Sequence, residues 1–160
     1  MNNLMIGIGD YNASKAKGVA IKTLALGSCV AVILLDPVTE AIGMAHIALP
    51  EASIDFEKSK SKPGYFADTA IIALYRRMGE LGSLTKIQDM YIKIAGGANV
   101  LNNSMDIGNR NILAIKKILW QMGTGPVAED VGHNYSRTVT AYTDTGLIEI
   151  SSHSRGVWNL

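Results

Sequence analysis

The sequence predicts a single α/β domain, an α+β-like layered sandwich in which mixed, largely antiparallel sheets are covered by two main amphipathic helices. Three observations carry this reading. Apolar, partly β-branched runs bounded by turn residues recur along the chain and outnumber helical stretches. Only two segments carry the three-to-four-residue spacing of an apolar helix face. The chain has 160 residues, 48% of them hydrophobic, which suits one domain over residues 1–160 with one sizeable core.

Taken in order, residues 4–9 and 18–26 read as strands separated by a polar loop that contains Tyr11 and Asn12. Residues 30–35 and 41–49 are apolar runs around Asp36-Pro37-Val38-Thr39-Glu40, which is turn chemistry, so they predict a β-hairpin. Residues 51–64 are polar, end in Pro63-Gly64 and are expected to be a surface loop beside the second hairpin strand, a candidate lid against which a protein substrate docks. Ala67, Ala70, Ile71, Leu74, Met78 and Leu81 share one helical face, which predicts a helix over 65–81 stopping at Gly82.

Residues 90–95 predict a strand running into Gly96-Gly97-Ala98-Asn99. A phosphate cradle is disfavoured there because the P-loop lysine and the full Gly-x-Gly-x-x-Gly pattern are missing, so the glycine pair reads as close backbone packing. A second helix is expected over 109–122, with Asn109 as cap, Ile112, Ile115, Leu119 and Met122 inward and Gly123 as stop. Residues 126–151 alternate as strands, and 138–143 with 146–150 form a closing hairpin. Residues 1–3 and 153–160 are expected to fray.

Charge excludes several function classes. Lys and Arg number 15 against 14 Asp and Glu, which leaves no footprint for nucleic acid or an anionic membrane. No apolar run approaches the roughly 20 residues needed to span a bilayer. With one cysteine there is no internal disulfide and no multi-cysteine zinc site, and His46, His133 and His153 lack paired ligand spacing. The expectation is a cytoplasmic protein with no metal and no cofactor, acting on a protein or a neutral group.

The cysteine is the best clue to chemistry. Cys29 follows the Gly27-Ser28 turn at the start of the first hairpin strand, and His46 lies seventeen residues on, in the second. A tight turn admits Leu35 opposite Ala41 or, one residue tighter, Leu35 opposite Glu40. The second register sets Cys29 directly across from His46, with Cβ atoms about 4.5–5.5 Å apart, whereas a slip of one residue separates their faces. A neighbouring imidazole can favour the reactive thiolate by ion pairing. Gly27 and Ser28 let the backbone bend and aim free N–H groups at a developing oxyanion. Residue type alone also admits an ordinary buried thiol and a satisfied core histidine; the hairpin geometry is what favours catalysis.

The run Thr23-Leu-Ala-Leu-Gly-Ser-Cys-Val-Ala-Val32, followed by Asp36-Pro37, Gly43-Met-Ala-His46 and Leu49-Pro50, resembles the CheD family of chemoreceptor glutamine deamidases. The likeness continues through Tyr65-Phe-Ala-Asp-Thr-Ala70, Lys93-Ile-Ala-Gly-Gly-Ala98, Ile107-Gly-Asn-Arg-Asn111 and Ala128-Glu-Asp130, so it covers nearly the whole chain in order. It implies a catalytic set of Cys29, His46 and Thr23, the threonine six residues before the cysteine holding the imidazole tautomer.

The activity implied is hydrolysis of glutamine side-chain amides on the cytoplasmic helices of chemoreceptors, in some members with receptor methyl-ester hydrolysis. A related sandwich with a Cys-His site occurs in cytotoxic necrotizing factor toxins. The resemblance also implies a CheC-type CheY phosphatase as partner, and with it the alternative of an adaptor with little catalysis of its own. A redox sensor is disfavoured because no second cysteine would resolve a sulfenate. Asp68, Asn99, Asn109 and Arg110 match family-like stretches but have ordinary readings as first-turn acid, loop amide, cap and surface charge. His133 stands where the family is expected to carry a smaller residue.

Overall fold

The computed structural model describes residues 1–160. Strands form where the apolar, β-branched runs lie: β1 (Asn2–Met5), β2 (Tyr11–Ser14), β3 (Val19–Leu26), β4 (Val30–Leu35), β5 (Ile42–Ile47), β6 (Tyr91–Gly96), β7 (Ala128–Val131), β8 (Arg137–Tyr142), β9 (Ile148–Ser152) and β10 (Gly156–Asn159). Three helices complete the fold: α1 (Phe56–Ser61), α2 (Ala67–Glu80) and α3 (Ile107–Gln121).

The strands make two five-stranded sheets, ordered β1-β3-β8-β9-β10 and β2-β5-β4-β6-β7. Only the β1–β3 and β6–β7 pairs are parallel. The second sheet is buried on both faces, which is why β4 and β5 read as continuous apolar runs. Val30, Val32 and Leu34 face a core shared with α2 and α3. Ala31 and Ile33, pointing the other way, meet Ile21, Leu26, Val139 and Ile150 of the first sheet. The result is three layers, sheet on sheet on helices, with the two helices on one side.

Helix α2 buries Ala67, Ala70, Ile71, Leu74 and Met78, the face its sequence spacing predicts, and ends before Gly82 at φ 92°. Helix α3 buries Ile112, Ile115 and Leu119 but begins earlier than expected. Its cap is Asp106, whose carboxylate accepts from the Asn109 N–H at 3.1 Å, so Asn109 lies within the first turn and is not the cap.

Other expectations are corrected. The first strand ends at Met5 because Gly7–Asp10 is a turn, closed by Asp10 N–H to Gly7 O at 2.9 Å. Tyr11 and Asn12, expected in a loop, belong to edge strand β2, which pairs with β5. Residues 51–64 are largely helical turns: Asp55 caps α1, and the Tyr65 carbonyl accepts from Ala48 and Leu49. The chain ends are paired as well. Asn2 and Asn3 pair with β3, and β10 adds an antiparallel edge to β9, where Leu160 N–H reaches Ile148 O and Trp158 Nε1 donates to Asp130. Trp158 and Leu160 pack on the inter-sheet core, which outweighs the entropy of a free end.

Candidate active site

Strand β3 lies in one sheet and β4 in the other, so the chain must cross between layers within residues 27–29. A register shift between Thr23 and Leu26 starts the crossing, with Ala25 in the left-handed region at φ 51°. Three backbone carbonyls then fix the corner. Gly27 O accepts from Ala98 N–H at 2.8 Å and Cys29 O from Gly97 N–H at 2.8 Å. Ser28 O accepts from the Asn111 side chain at 3.0 Å. The glycine pair does serve close packing: Gly96 has φ 115°, and a Cβ there would collide with the Cys29 carbonyl oxygen. The N–H groups of Ser28 and Cys29 have no acceptor within the protein.

The hairpin register differs from the expected one. Leu35 pairs with Ile42 and Ala31 with His46, so His46 faces Ala31 and sits diagonally from Cys29. Asp36 sets the register: its N–H bonds the Ala41 carbonyl at 3.0 Å, its carboxylate accepts from Val38 N–H and the Thr39 hydroxyl, and Glu40 turns through φ 60°. The wider turn moves the pairing by two residues from the register that opposes Cys29 and His46. A two-residue move conserves facing, so both side chains remain on the inter-sheet side.

His46 is 3% exposed, and its Nδ1 lies 2.7 Å from Thr23 Oγ1. The Thr23 hydroxyl donates its only hydrogen to Ile6 O at 2.9 Å, so toward His46 it acts as acceptor. Nδ1 therefore carries the proton and Nε2 the lone pair. Nε2 is buried and has no hydrogen-bond partner, the thiol included. Burial pushes the imidazole down to about 4, with Lys62 adding to the shift and Asp10 opposing it. Burial pushes the Cys29 thiol up to about 11. Both groups rest uncharged at neutral pH, in place of the expected ion pair. Such a pair performs proton transfer during attack rather than before it.

Thr23 and His46 thus meet where the two sheets join, Cys29 packs on the same inter-sheet core without a hydrogen bond to His46, and Gly27 and Ser28 stand at the surface side of the corner. Beside Gly27 and Ser28 a cleft of about 310 Å³ opens, lined further by Ala98, Asn99, Leu101 and Met105 among others; Thr23, Cys29 and His46 do not line it. Its rim carries exposed apolar groups, Leu101 at 86% and Met105 at 55% accessible, alongside the polar Asn99, Asn103 and Asp106. No residue of 51–64 lines it, so that segment is not the wall beside the Gly27-Ser28 turn. Sequence reasoning passed over Val100–Asp106, where lone apolar residues among asparagines carry no periodicity. It also gave no role to Asn111, which closes the family-like run Ile107-Gly-Asn-Arg-Asn111 but whose type and spacing carry no chemical signal. No three His, Cys, Asp or Glu side chains gather as a metal site. His133 stacks on Tyr135 at 5.6 Å, and its carbonyl accepts from the N–H of Asn99, a cleft residue, at 2.8 Å. No helix is long and apolar enough to cross a membrane.

The chain is similar in sequence to known proteins. A chain from Syntrophotalea carbinolica named probable chemoreceptor glutamine deamidase CheD is 49% identical over 162 residues, covering all of both chains. One from Syntrophus aciditrophicus, probable chemoreceptor glutamine deamidase CheD 1, is 38% identical over 95% of each. The chemoreceptor glutamine deamidase CheD of Thermotoga maritima is 42% identical over 89% of this chain and 87% of its own. Residues 48–152 match the family described as CheD chemotactic sensory transduction. With that match and relatives aligned along its full length, the chain belongs to the CheD family.

Proposed function

We propose that this protein is a protein-glutamine glutaminase that converts glutamine side chains of chemoreceptors to glutamate, with Cys29 as nucleophile. The observation that carries the mechanism is the Thr23–His46 hydrogen bond, which leaves Nε2 as an unprotonated base on the face that holds Cys29. Apo geometry with a loose nucleophile–base contact is usual, since such contacts tighten in the substrate complex.

Cys29 Sγ attacks the carboxamide carbon while His46 Nε2 takes the thiol proton. The carbonyl oxygen becomes an oxyanion facing the unpaired N–H groups of Ser28 and Cys29. Collapse breaks the C–N bond, His46 returns its proton to nitrogen, and ammonia leaves a glutamyl thioester. Water, deprotonated by His46, then attacks the thioester; the C–S bond breaks, the proton passes to sulfur, and glutamate is released. No cofactor enters these steps.

The cleft beside Ser28 supports a macromolecular substrate. The exposed apolar groups on its rim suit the side chains flanking a glutamine on a folded helix, which supply the binding energy that aligns the amide. This reading places the protein in the cytoplasm, where receptor signalling helices lie, and keeps a CheC-type phosphatase as a further partner and methyl-ester hydrolysis as a further reaction of the same thiol. Intact mass of a receptor cytoplasmic fragment tests it: the fragment should gain the difference between an amide and an acid at discrete glutamines. Cys29→Ser protein should produce no gain. Equal activity on free glutamine would replace the reading with a small-molecule amidase, and an inactive wild type with tight fragment binding would replace it with the adaptor.

A further inference from the structure

Asn111 lies in the second turn of α3 and is fully buried. Its Nδ2 donates one hydrogen to Ser28 O at 3.0 Å and the other to Ala48 O at 2.9 Å. Both partners are carbonyl oxygens, so the amide can be oriented in only one way. Its Oδ1 is buried and receives no hydrogen bond. An unpaired buried acceptor destabilises a fold, and asparagine is a weak helix former. Packing alone would be served better by leucine at this position.

What the amide joins explains its presence. Ser28 directly precedes Cys29, and Ala48 follows His46 by two residues. One side chain therefore ties the chain segment carrying the thiol to the one carrying the imidazole, across 83 and 63 residues of sequence respectively. Peptide planarity adds a second effect, because holding the Ser28 carbonyl on one side turns the Cys29 N–H to the other. The helix itself cannot drift. A Cβ at Gly108 would collide with the Gly97 carbonyl oxygen, so the first turn of α3 is pressed on the same 97–98 segment that binds the Gly27 and Cys29 carbonyls.

We propose that Asn111 is a positioning residue that sets the separation of Cys29 and His46 and the direction of the Cys29 N–H. The inference rests on Cys29 and His46 being the working pair. Asn111→Leu keeps side-chain bulk and removes both tethers. It should lower kcat on a receptor fragment roughly 10- to 100-fold, the usual cost of a small misplacement of reacting groups, with KM within twofold. Ile112→Val, a packing change at the next residue of the same helix, is the control for general loosening and should leave kcat within twofold. Should Asn111→Leu not fold, Asn111→Ala assayed below its melting point gives the same comparison. Retention of kcat by the Asn111 variant, or a loss matched by Ile112→Val, overturns the inference. Activity surviving in Cys29→Ser overturns the underlying mechanism, whatever Asn111 does.

Discussion

Thr23 and His46 stand on different sheets, and a 2.7 Å hydrogen bond between Oγ1 and Nδ1 joins them across the sandwich. Because Thr23 Oγ1 also donates to Ile6 O, this contact fixes which ring nitrogen is basic. Thr23→Val keeps the shape but removes the acceptor, leaving a buried N–H unpaired at a cost of about 1–3 kcal/mol. Deamidation should fall by a corresponding factor of roughly 5 to 150, and Thr23→Ser should restore most of it. Steady-state kinetics on a receptor fragment measure both, and an unchanged Thr23→Val rate would remove the threonine from the mechanism.

The uncharged resting pair makes two pH predictions. Iodoacetamide should alkylate native Cys29 slowly at neutral pH, with the rate climbing toward an inflection near 11, well above that of a free thiol at about 8.5. An inflection below neutrality would restore the preformed ion pair. His46, lowered to about 4 from 6.5, binds protons more weakly folded than unfolded. Its contribution to stability is therefore complete above pH 6.5 and is lost as pH falls toward 4. Urea midpoints between those values should drop for the wild type and drop less for His46→Ala.

The cleft predicts where substrate contacts lie. Leu101→Ser removes an exposed apolar group from the rim and should leave the melting temperature unchanged, since Leu101 is 86% accessible. It should lower kcat/KM on a receptor fragment several-fold while leaving Cys29 alkylation untouched. An identical kcat/KM would move the docking surface elsewhere, with the segment 51–64 the next to test.

Asp36 predicts a purely structural effect. The carboxylate is buried, which opposes ionisation, yet it accepts from the Ser83, Thr85 and Thr39 hydroxyls and from Val38 N–H, and these hold it well below the usual carboxylate range. Asp36→Ala should cost about 2–4 kcal/mol in urea unfolding, because it strips the acceptor from the buried Ser83 hydroxyl and the half-buried Thr39 and Thr85 hydroxyls and loosens the turn that sets the β4–β5 register. The carboxylate's contribution is present above the ordinary aspartate value and is lost as pH falls below it.

Much of the arrangement was legible in residue order. The continuous apolar runs of β4 and β5, the five-residue face of α2 and the glycine stop after each main helix are local signals, because period and turn chemistry act over a few residues. Edge strands β2 and β10 were not legible. Each is four residues long, and each forms because a neighbouring strand and core accept it. The start of α3 was misread because Asp106 reaches the cap through a left-handed backbone that composition does not reveal.

The sequence by itself determined the sandwich class, the hairpin and the residue types of the candidate site, since these follow from hydrophobic period and from a lone cysteine placed after a glycine turn. Only the tertiary structure decided the rest. The hairpin register depended on how Asp36 is satisfied by Ser83 and Thr85, 47 and 49 residues away. The protonation of His46 depended on burial between two sheets and on Thr23 from the other layer. The tether at Asn111 and the cleft beside Ser28 arose from segments that meet only after α3 docks, because hydrogen-bond partners and desolvation are properties of packed neighbours and not of adjacent residues.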